Sequence, residues 1–243
     1  MEYQELPLSV GNLCEAFVGG LKEILSTNLH GVYMYGAAVF PDAGPIQDVD
    51  CHVILKEQVD DGVRDQIFQL SKDLKVRFPD LGDELDTYFI LYEDARRTSP
   101  PTHQLRAEVR DESWALHCAH IRGGRYFTLY GPEPDEIFPA ASWQEISRAL
   151  DHEMRFIEEN LKYPDYCVMN LCRIMYSFQE RDVVVSKRFG GNWAIDRFPQ
   201  WASLVQAAIR SYNKTGGTDD LVLLETEVGR FLAFASERIQ ATR

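Results

Sequence analysis

Three aspartates are the residues whose types and spacing most strongly indicate chemistry. Asp48 and Asp50 open the strand-like segment 48–55, and Asp86 lies at the start of the strand-like segment 85–92. Side chains alternate along a strand, so Asp48 and Asp50 point to the same side, about 7 Å apart. Two adjacent ionised carboxylates repel each other, and a hard divalent cation is their usual stabiliser. If the two strands are neighbours, Asp86 adds a third carboxylate, and three carboxylates around Mg²⁺ can hold a nucleoside triphosphate for in-line attack.

The pattern around these aspartates favours a functional site over a chance arrangement. A lone Asp-x-Asp in an acidic chain is more often a solvated strand end. Here the apolar segment 31–40 contains Gly36-Ala37, ten residues intervene, and Asp48 then opens the next apolar segment. An amphipathic helix pattern and the strand that bears Asp86 follow, and it is this complete order that indicates function.

Histidines add one further candidate. His52 follows Asp50 on the same face of the predicted strand and could touch a bound metal, although a packing or hydrogen-bonding role stays open. His117 and His120 are three residues apart, but they lie in a stretch that reads as strand and not as helix. The five cysteines are scattered and contain no C-x-x-C pair, so we expect buried thiols.

Hydrophobic periodicity indicates the elements that must position these residues. In the first half it predicts helices over 10–25, with Ser9 as the N-cap, and over 60–78. It predicts strands there over 31–40, 48–55, 85–92, 113–119 and 126–129. After Gly131-Pro132 the chain becomes helical, with helices predicted over 143–161, 165–181, 193–212 and 219–241. We therefore expect an α+β fold with a mixed-sheet domain over 1–134 and a helical bundle over 135–243.

Charge narrows the classes of partner. The 243 residues include 38 acidic and 25 basic side chains, a formal net charge of −13. A surface this negative repels nucleic acids and anionic lipid and suits a cationic or neutral small molecule. The longest apolar run, 32–40, is too short to cross a bilayer, and residues 1–5 are acidic where a leader peptide needs positive charge. We expect a cytoplasmic protein that is a monomer or weak oligomer and binds neither nucleic acid nor membrane.

The order of strand, Gly-small turn and Asp-x-Asp resembles the signature of the nucleotidyltransferase superfamily, which includes DNA polymerase β and the antibiotic nucleotidyltransferases. Over most of its length the chain is similar to the aminoglycoside 3''-adenylyltransferases, which modify streptomycin and spectinomycin. The segments that carry this similarity are Gly31–Gly36, Asp48–Asp50, Leu129–Pro132, Leu171–Ser177, Ser186-Lys187 and Asn192–Arg197. The resemblance implies a polymerase-β-like nucleotidyltransferase domain followed by an α-helical bundle, with ATP and the antibiotic bound in a cleft.

The same resemblance assigns roles to individual residues. Asp48, Asp50 and Asp86 would bind Mg²⁺, with two ions possible, and Asp86 would also stand where the family has a glutamate as catalytic base. Gly36 and Ala37 would lie at the ATP phosphates, although the family usually has Gly-Ser there. A serine hydroxyl contributes about 0.5–1.5 kcal/mol through such a bond, so Ala37 would weaken ATP binding without abolishing it.

Two cations of the helical half, Arg173 and Lys187, match family residues that reach the ATP phosphates. The alternatives are an ion pair of Arg173 with Asp165 or Glu180, and a solvated loop position for Lys187. On the acceptor side the family uses a tryptophan of the first domain, and Trp114 does not match its spacing.

The expected function is an ATP- and Mg²⁺-dependent adenylyltransferase that moves AMP to a hydroxyl of a small acceptor, such as an aminoglycoside. A different acceptor, or a nucleotide-binding module that has lost catalysis, stays open.

Overall fold

Two compact units make up the computed structural model of the chain, which describes residues 6–42, 46 and 48–243. The first unit consists of residues 6–41 and the described residues of 46–141. The second consists of Asp42 and residues 142–243. The division therefore follows residue 141 and not residue 134. Its cause is that Ile137 and Phe138 are buried in the core of the first unit, while a capping box at Ser142 starts the first helix of the second. Residues 1–5, whose acidic character is the argument against a leader peptide in the sequence analysis, lie outside the described part of the chain.

The first unit is built on a mixed four-stranded sheet. Its strands are β1 (Leu29–Tyr35), β2 (Val49–Leu55), β3 (Leu85–Leu91) and β4 (Phe127–Tyr130). They lie in the order β3-β2-β1-β4, with β2 and β3 parallel and the other pairs antiparallel. The sheet and the helical second unit confirm the predicted α+β class. The strand predicted over 31–40 ends earlier, at Tyr35, because Gly36 turns the chain.

Strand alternation covers both faces of this sheet. Val49, Cys51, Val53 and Leu55 of β2 face a core shared with helices α1 (Leu8–Leu25) and α2 (Asp61–Arg77). The helix α1 begins after Pro7, so Ser9 is not its N-cap. By contrast, Asp60 caps α2, and its Oδ1 accepts a hydrogen bond from the Val63 N–H at 2.9 Å.

The opposite face is covered by the short helix α3 (Tyr92–Ala95) and by α4 (Trp114–Arg122). The prediction of a strand over 113–119 is therefore wrong. Apolar residues alternate at 114, 116 and 118, which mimics a strand, but the side chains that enter the core recur at Trp114, Cys118 and Ile121. That spacing places one face of a helix against the sheet.

The second unit contains five helices in its described residues. They are α5 (Trp143–Glu159), α6 (Pro164–Glu180), α7 (Lys187–Arg197), α8 (Ala202–Tyr212) and α9 (Thr218–Thr242). The single helix predicted over 193–212 is wrong, because a 3₁₀ turn at Pro199–Trp201 separates α7 from α8. Proline lacks the N–H that a continuous helix needs there. No helix among the described residues is long and apolar enough to cross a membrane.

Candidate active site

The parallel pairing of β2 with β3 brings the predicted carboxylates together. Asp50 is the direct partner of Asp86 across the two strands, and Asp48 lies just before β2 begins. Asp48 and Asp50 are half-buried, and Asp86 is exposed at the start of β3. The condition set by the sequence, that the two strands be neighbours, is met. Three carboxylates thus share one end of the parallel strand pair.

The environment of Asp48 shows whether a cation would fit among these carboxylates. Its Oδ1 is buried and has no hydrogen-bond partner among the described residues. A carboxylate oxygen removed from water without a donor is costly, and a bound cation relieves that cost. Carboxylate oxygens are also the ligands that Mg²⁺ prefers. The residues present therefore fit a divalent cation held by Asp48 with Asp50 and Asp86.

Gly36 brings the turn after β1 into contact with this cluster. Its φ of +77° lies in the left-handed region, and a Cβ there would stand 1.8 Å from Asp50 Oδ2. Only glycine allows the backbone to approach the carboxylate so closely. The 3₁₀ turn Ala37–Val39 starts immediately after it. Gly36 is therefore a backbone neighbour of the carboxylate cluster, and Ala37 follows it in the chain.

A cavity of about 750 Å³ reaches the same carboxylates. It is also lined by three cations that the sequence analysis missed, Lys72 and Lys75 of α2 and Arg106 of the loop after β3. Lys75 is ion-paired with Asp83. In the sequence, lysines on an amphipathic helix indicate a solvent-exposed face and not a binding site. No sequence signal marks Arg106, because only the folded loop places it at the cavity.

His103 anchors the loop that carries Arg106. Its Nε2–H donates to the carbonyl of Thr87 at 3.2 Å, and its Nδ1 accepts from the N–H of Leu105 at 3.0 Å. These two bonds require the neutral tautomer, and burial lowers the pKa of His103. The loop is thereby tied to β3, the strand of Asp86.

In the second unit, Arg173 and Lys187 lie on the neighbouring helices α6 and α7. The helices meet at the backbone, since a Cβ on Gly190 would stand 2.8 Å from Arg173 Cα. Lys187 Nζ lies 4.6 Å from the centre of the Tyr166 ring. Burial raises the pKa of the Tyr166 hydroxyl to about 12, and the positive charge of Arg173 opposes that rise.

Neither alternative is seen in the described part of the chain, where Arg173 forms no ion pair with Asp165 or Glu180 and the Glu180 carboxylate accepts from Gln179. The carboxylate of Asp165 accepts bonds from the Tyr166 N–H and from Ser211 Oγ at 2.8 Å each. Lys187 is the first residue of α7, whose N-cap is Ser186, and not a loop lysine.

Trp114 is fully buried, and its Nε1–H donates to the carbonyl of Arg97, so it belongs to the core of the first unit. His52 is also fully buried and stacks on Tyr35 with ring centres 3.9 Å apart. Burial lowers the pKa of His52 to about 3, which keeps its ring neutral.

Comparison with known proteins identifies the domain in the second unit. Residues 136–238 match the family model described as the C-terminal domain of aminoglycoside adenylyltransferase. This match confirms the resemblance to that family seen in the sequence. The chain is also 20% identical over 217 residues to the spectinomycin 9-adenylyltransferase of Campylobacter jejuni, and the alignment covers 82% of each chain. The protein is an enzyme of the nucleotidyltransferase class.

The fold of the adenylyltransferase also matches a solved structure. That structure is the spectinomycin adenyltransferase AAD(9) from Enterococcus faecialis with ATP and spectinomycin. The match has a TM-score of 0.77 at 16% sequence identity and covers 95% of this chain and 99% of the other. The predicted fold class, a mixed sheet with helices followed by a helical region, is thereby confirmed.

Proposed function

We propose that the enzyme transfers AMP from ATP to a hydroxyl of a small cationic acceptor of the spectinomycin and streptomycin class. The observation that carries this proposal is the arrangement of Asp48, Asp50 and Asp86, with the unpartnered Oδ1 of Asp48 among them. Carboxylates so placed suit a divalent cation and a triphosphate.

The three carboxylates divide two tasks between them in this proposal. Asp48 and Asp50 hold Mg²⁺, which supplies positive charge to the phosphates when bound. Asp86 is exposed at the start of β3, where an acceptor can reach it. There it accepts the proton of the hydroxyl whose oxygen attacks the α-phosphorus of ATP, and pyrophosphate leaves.

The phosphates are assigned to backbone and to cations. Gly36 and Ala37 offer backbone N–H groups, and the Ala37 methyl supplies no hydrogen bond where the family has a serine hydroxyl. Arg173 and Lys187 supply the positive charge that a triphosphate requires. Lys187 is already oriented by the ring of Tyr166.

The acceptor class rests on charge and on the relatives. The Campylobacter jejuni relative is a spectinomycin 9-adenylyltransferase, and the AAD(9) structure contains ATP and spectinomycin. A net charge of −13 suits a cationic aminoglycoside. A second candidate, a nucleotide-binding protein without catalysis, is favoured by Ala37 alone.

The test is pyrophosphate release from ATP and Mg²⁺ across a panel that includes spectinomycin and streptomycin. We expect release to require one antibiotic of the panel and to be lost in Asp48→Asn. The matched control is Asp80→Asn, an exposed acid in the turn before β3, which should keep full activity. Silence across the panel with ATP binding retained in calorimetry would overturn the aminoglycoside assignment.

A further inference from the structure

A second cluster of metal-ligating side chains lies in the first unit. It consists of His52 on β2, with Asp111 and His117 around the start of α4. One potential ligand atom from each side chain lies within 4.8 Å of the other two. His52 and Asp111 are buried, and His117 is half-buried. Two imidazoles and one carboxylate thus converge on a small volume.

His52 is the part of this cluster that a packing role does not explain. Both of its ring nitrogens are buried, and neither has a hydrogen-bond partner among the described residues. The ring is held firmly, stacked parallel to Tyr35 and with an edge contact to Trp114 at 5.1 Å between centres. A buried imidazole normally satisfies at least one nitrogen, so this ring lacks a partner that a metal would supply.

Asp111 is held in position by its own hydrogen bonds. Its Oδ1 accepts from the N–H of Ser113 at 3.1 Å, and its Oδ2 lies 2.8 Å from His117 Nδ1. The bond from the Ser113 N–H comes from outside the cluster and is of the kind that commonly orients a ligating carboxylate. The side chain of His117 is 23% exposed, which gives an ion a route from solvent to the cluster.

We propose that His52, Asp111 and His117 bind one divalent transition-metal ion, with Zn²⁺ as the best match. Imidazole nitrogens suit Zn²⁺, whereas Mg²⁺ prefers an all-oxygen set. Three protein ligands leave a fourth position for water. The site shares no ligand with the carboxylate cluster, and the bound ion would join β2, the strand that carries Asp50, to α4.

Calorimetric titration of the chelator-stripped full chain with Zn²⁺, in excess Mg²⁺ that occupies the carboxylates, tests this proposal. We expect one Zn²⁺ per chain. Removing an outer partner of a metal ligand weakens binding about 10- to 100-fold, and loss of a ligand in His117→Asn should cost more. The matched control is His30→Asn, another half-buried histidine of the same unit, which should bind as the wild type does.

Two further measurements keep the test decisive. Asp48→Asn combined with Asp86→Asn should leave Zn²⁺ binding unchanged, and its loss there would place the ion at the carboxylates and overturn the proposal. Co²⁺ added to the wild type should give the strong visible absorption of a tetrahedral site, without need of any variant. Weak octahedral bands, no binding, or unchanged binding in a folded His117→Asn protein would each overturn it.

Discussion

Asp86 is the partner of Asp50 across β2 and β3 and is exposed, so the acceptor of the proposed reaction can reach it. We expect Asp86→Asn to lower kcat by about 10²- to 10⁴-fold, because the amide cannot accept the proton. Asp86→Glu should keep measurable turnover. Steady-state kinetics with the antibiotic found active above would measure both, and a near-normal kcat in Asp86→Asn would remove Asp86 from the base role.

Gly36 provides the sharpest steric prediction. Gly36→Ala would place a methyl 1.8 Å from Asp50 Oδ2 on a backbone with φ of +77°, so we expect loss of both activity and thermal stability. Gly11→Ala is the control, since a Cβ there meets no atom within 4 Å in helix α1. That change should stabilise the protein by about 0.5–1 kcal/mol. Equal melting temperatures for the two variants would contradict the contact.

Substitution of Ala37 distinguishes two hypotheses, an enzyme with weakened activity and a protein that has lost catalysis. Ala37→Ser restores a hydroxyl, and one hydrogen bond of about 0.5–1.5 kcal/mol corresponds to a gain of roughly 2- to 12-fold in kcat/KM for ATP. Pyrophosphate release at limiting ATP measures this. Ala37→Gly, which adds no hydroxyl, serves as the control. A serine variant as inactive as an inactive wild type would favour the binding module.

At the scale of elements, the loop after β3 makes stability depend on pH through His103. Its pKa is lowered in the folded chain, so below the ordinary value of about 6.5 the unfolded chain binds a proton that the folded chain refuses. Stability contributed by the neutral ring is therefore lost as pH falls through that value. His103→Gln keeps a donor and an acceptor without titrating, and urea unfolding at pH 7.5 and 5.5 should show a smaller loss. An unchanged pH dependence would contradict this role.

The sequence predicted the secondary-structure elements correctly where burial determines the spacing of apolar residues. The strand of Asp48 and Asp50 and the strand of Asp86 were predictable, because apolar alternation and polar strand ends report directly on the sheet. The helix at Trp114 was not, because small alanines between larger residues reproduce a strand's period of two. The cluster of His52, Asp111 and His117 was also out of reach, because the pairing of β2 with α4 depends on tertiary packing.

At the scale of the whole molecule, the net charge of −13 affects the rate at which a charged acceptor reaches the protein. A negative potential raises the encounter rate with a cationic acceptor, and salt screens it over a Debye length of about 8–10 Å. We expect kcat/KM for a cationic aminoglycoside to fall as NaCl rises, while kcat changes little. A neutral acceptor analogue provides the control. A salt-independent kcat/KM would show that charge does not steer the acceptor.

The burial of all five cysteines has a practical consequence for the folded chain. Burial raises the pKa of Cys14 and of Cys167 to about 11, so neither offers a reactive thiolate at neutral pH. Alkylation must then wait for the protein to open. Because Cys14, Cys51 and Cys118 lie in one unit and Cys167 and Cys172 in the other, mass spectrometry of timed labelling would record the opening of each unit separately. The five native thiols therefore serve as built-in probes of unfolding, and each of the two units carries its own.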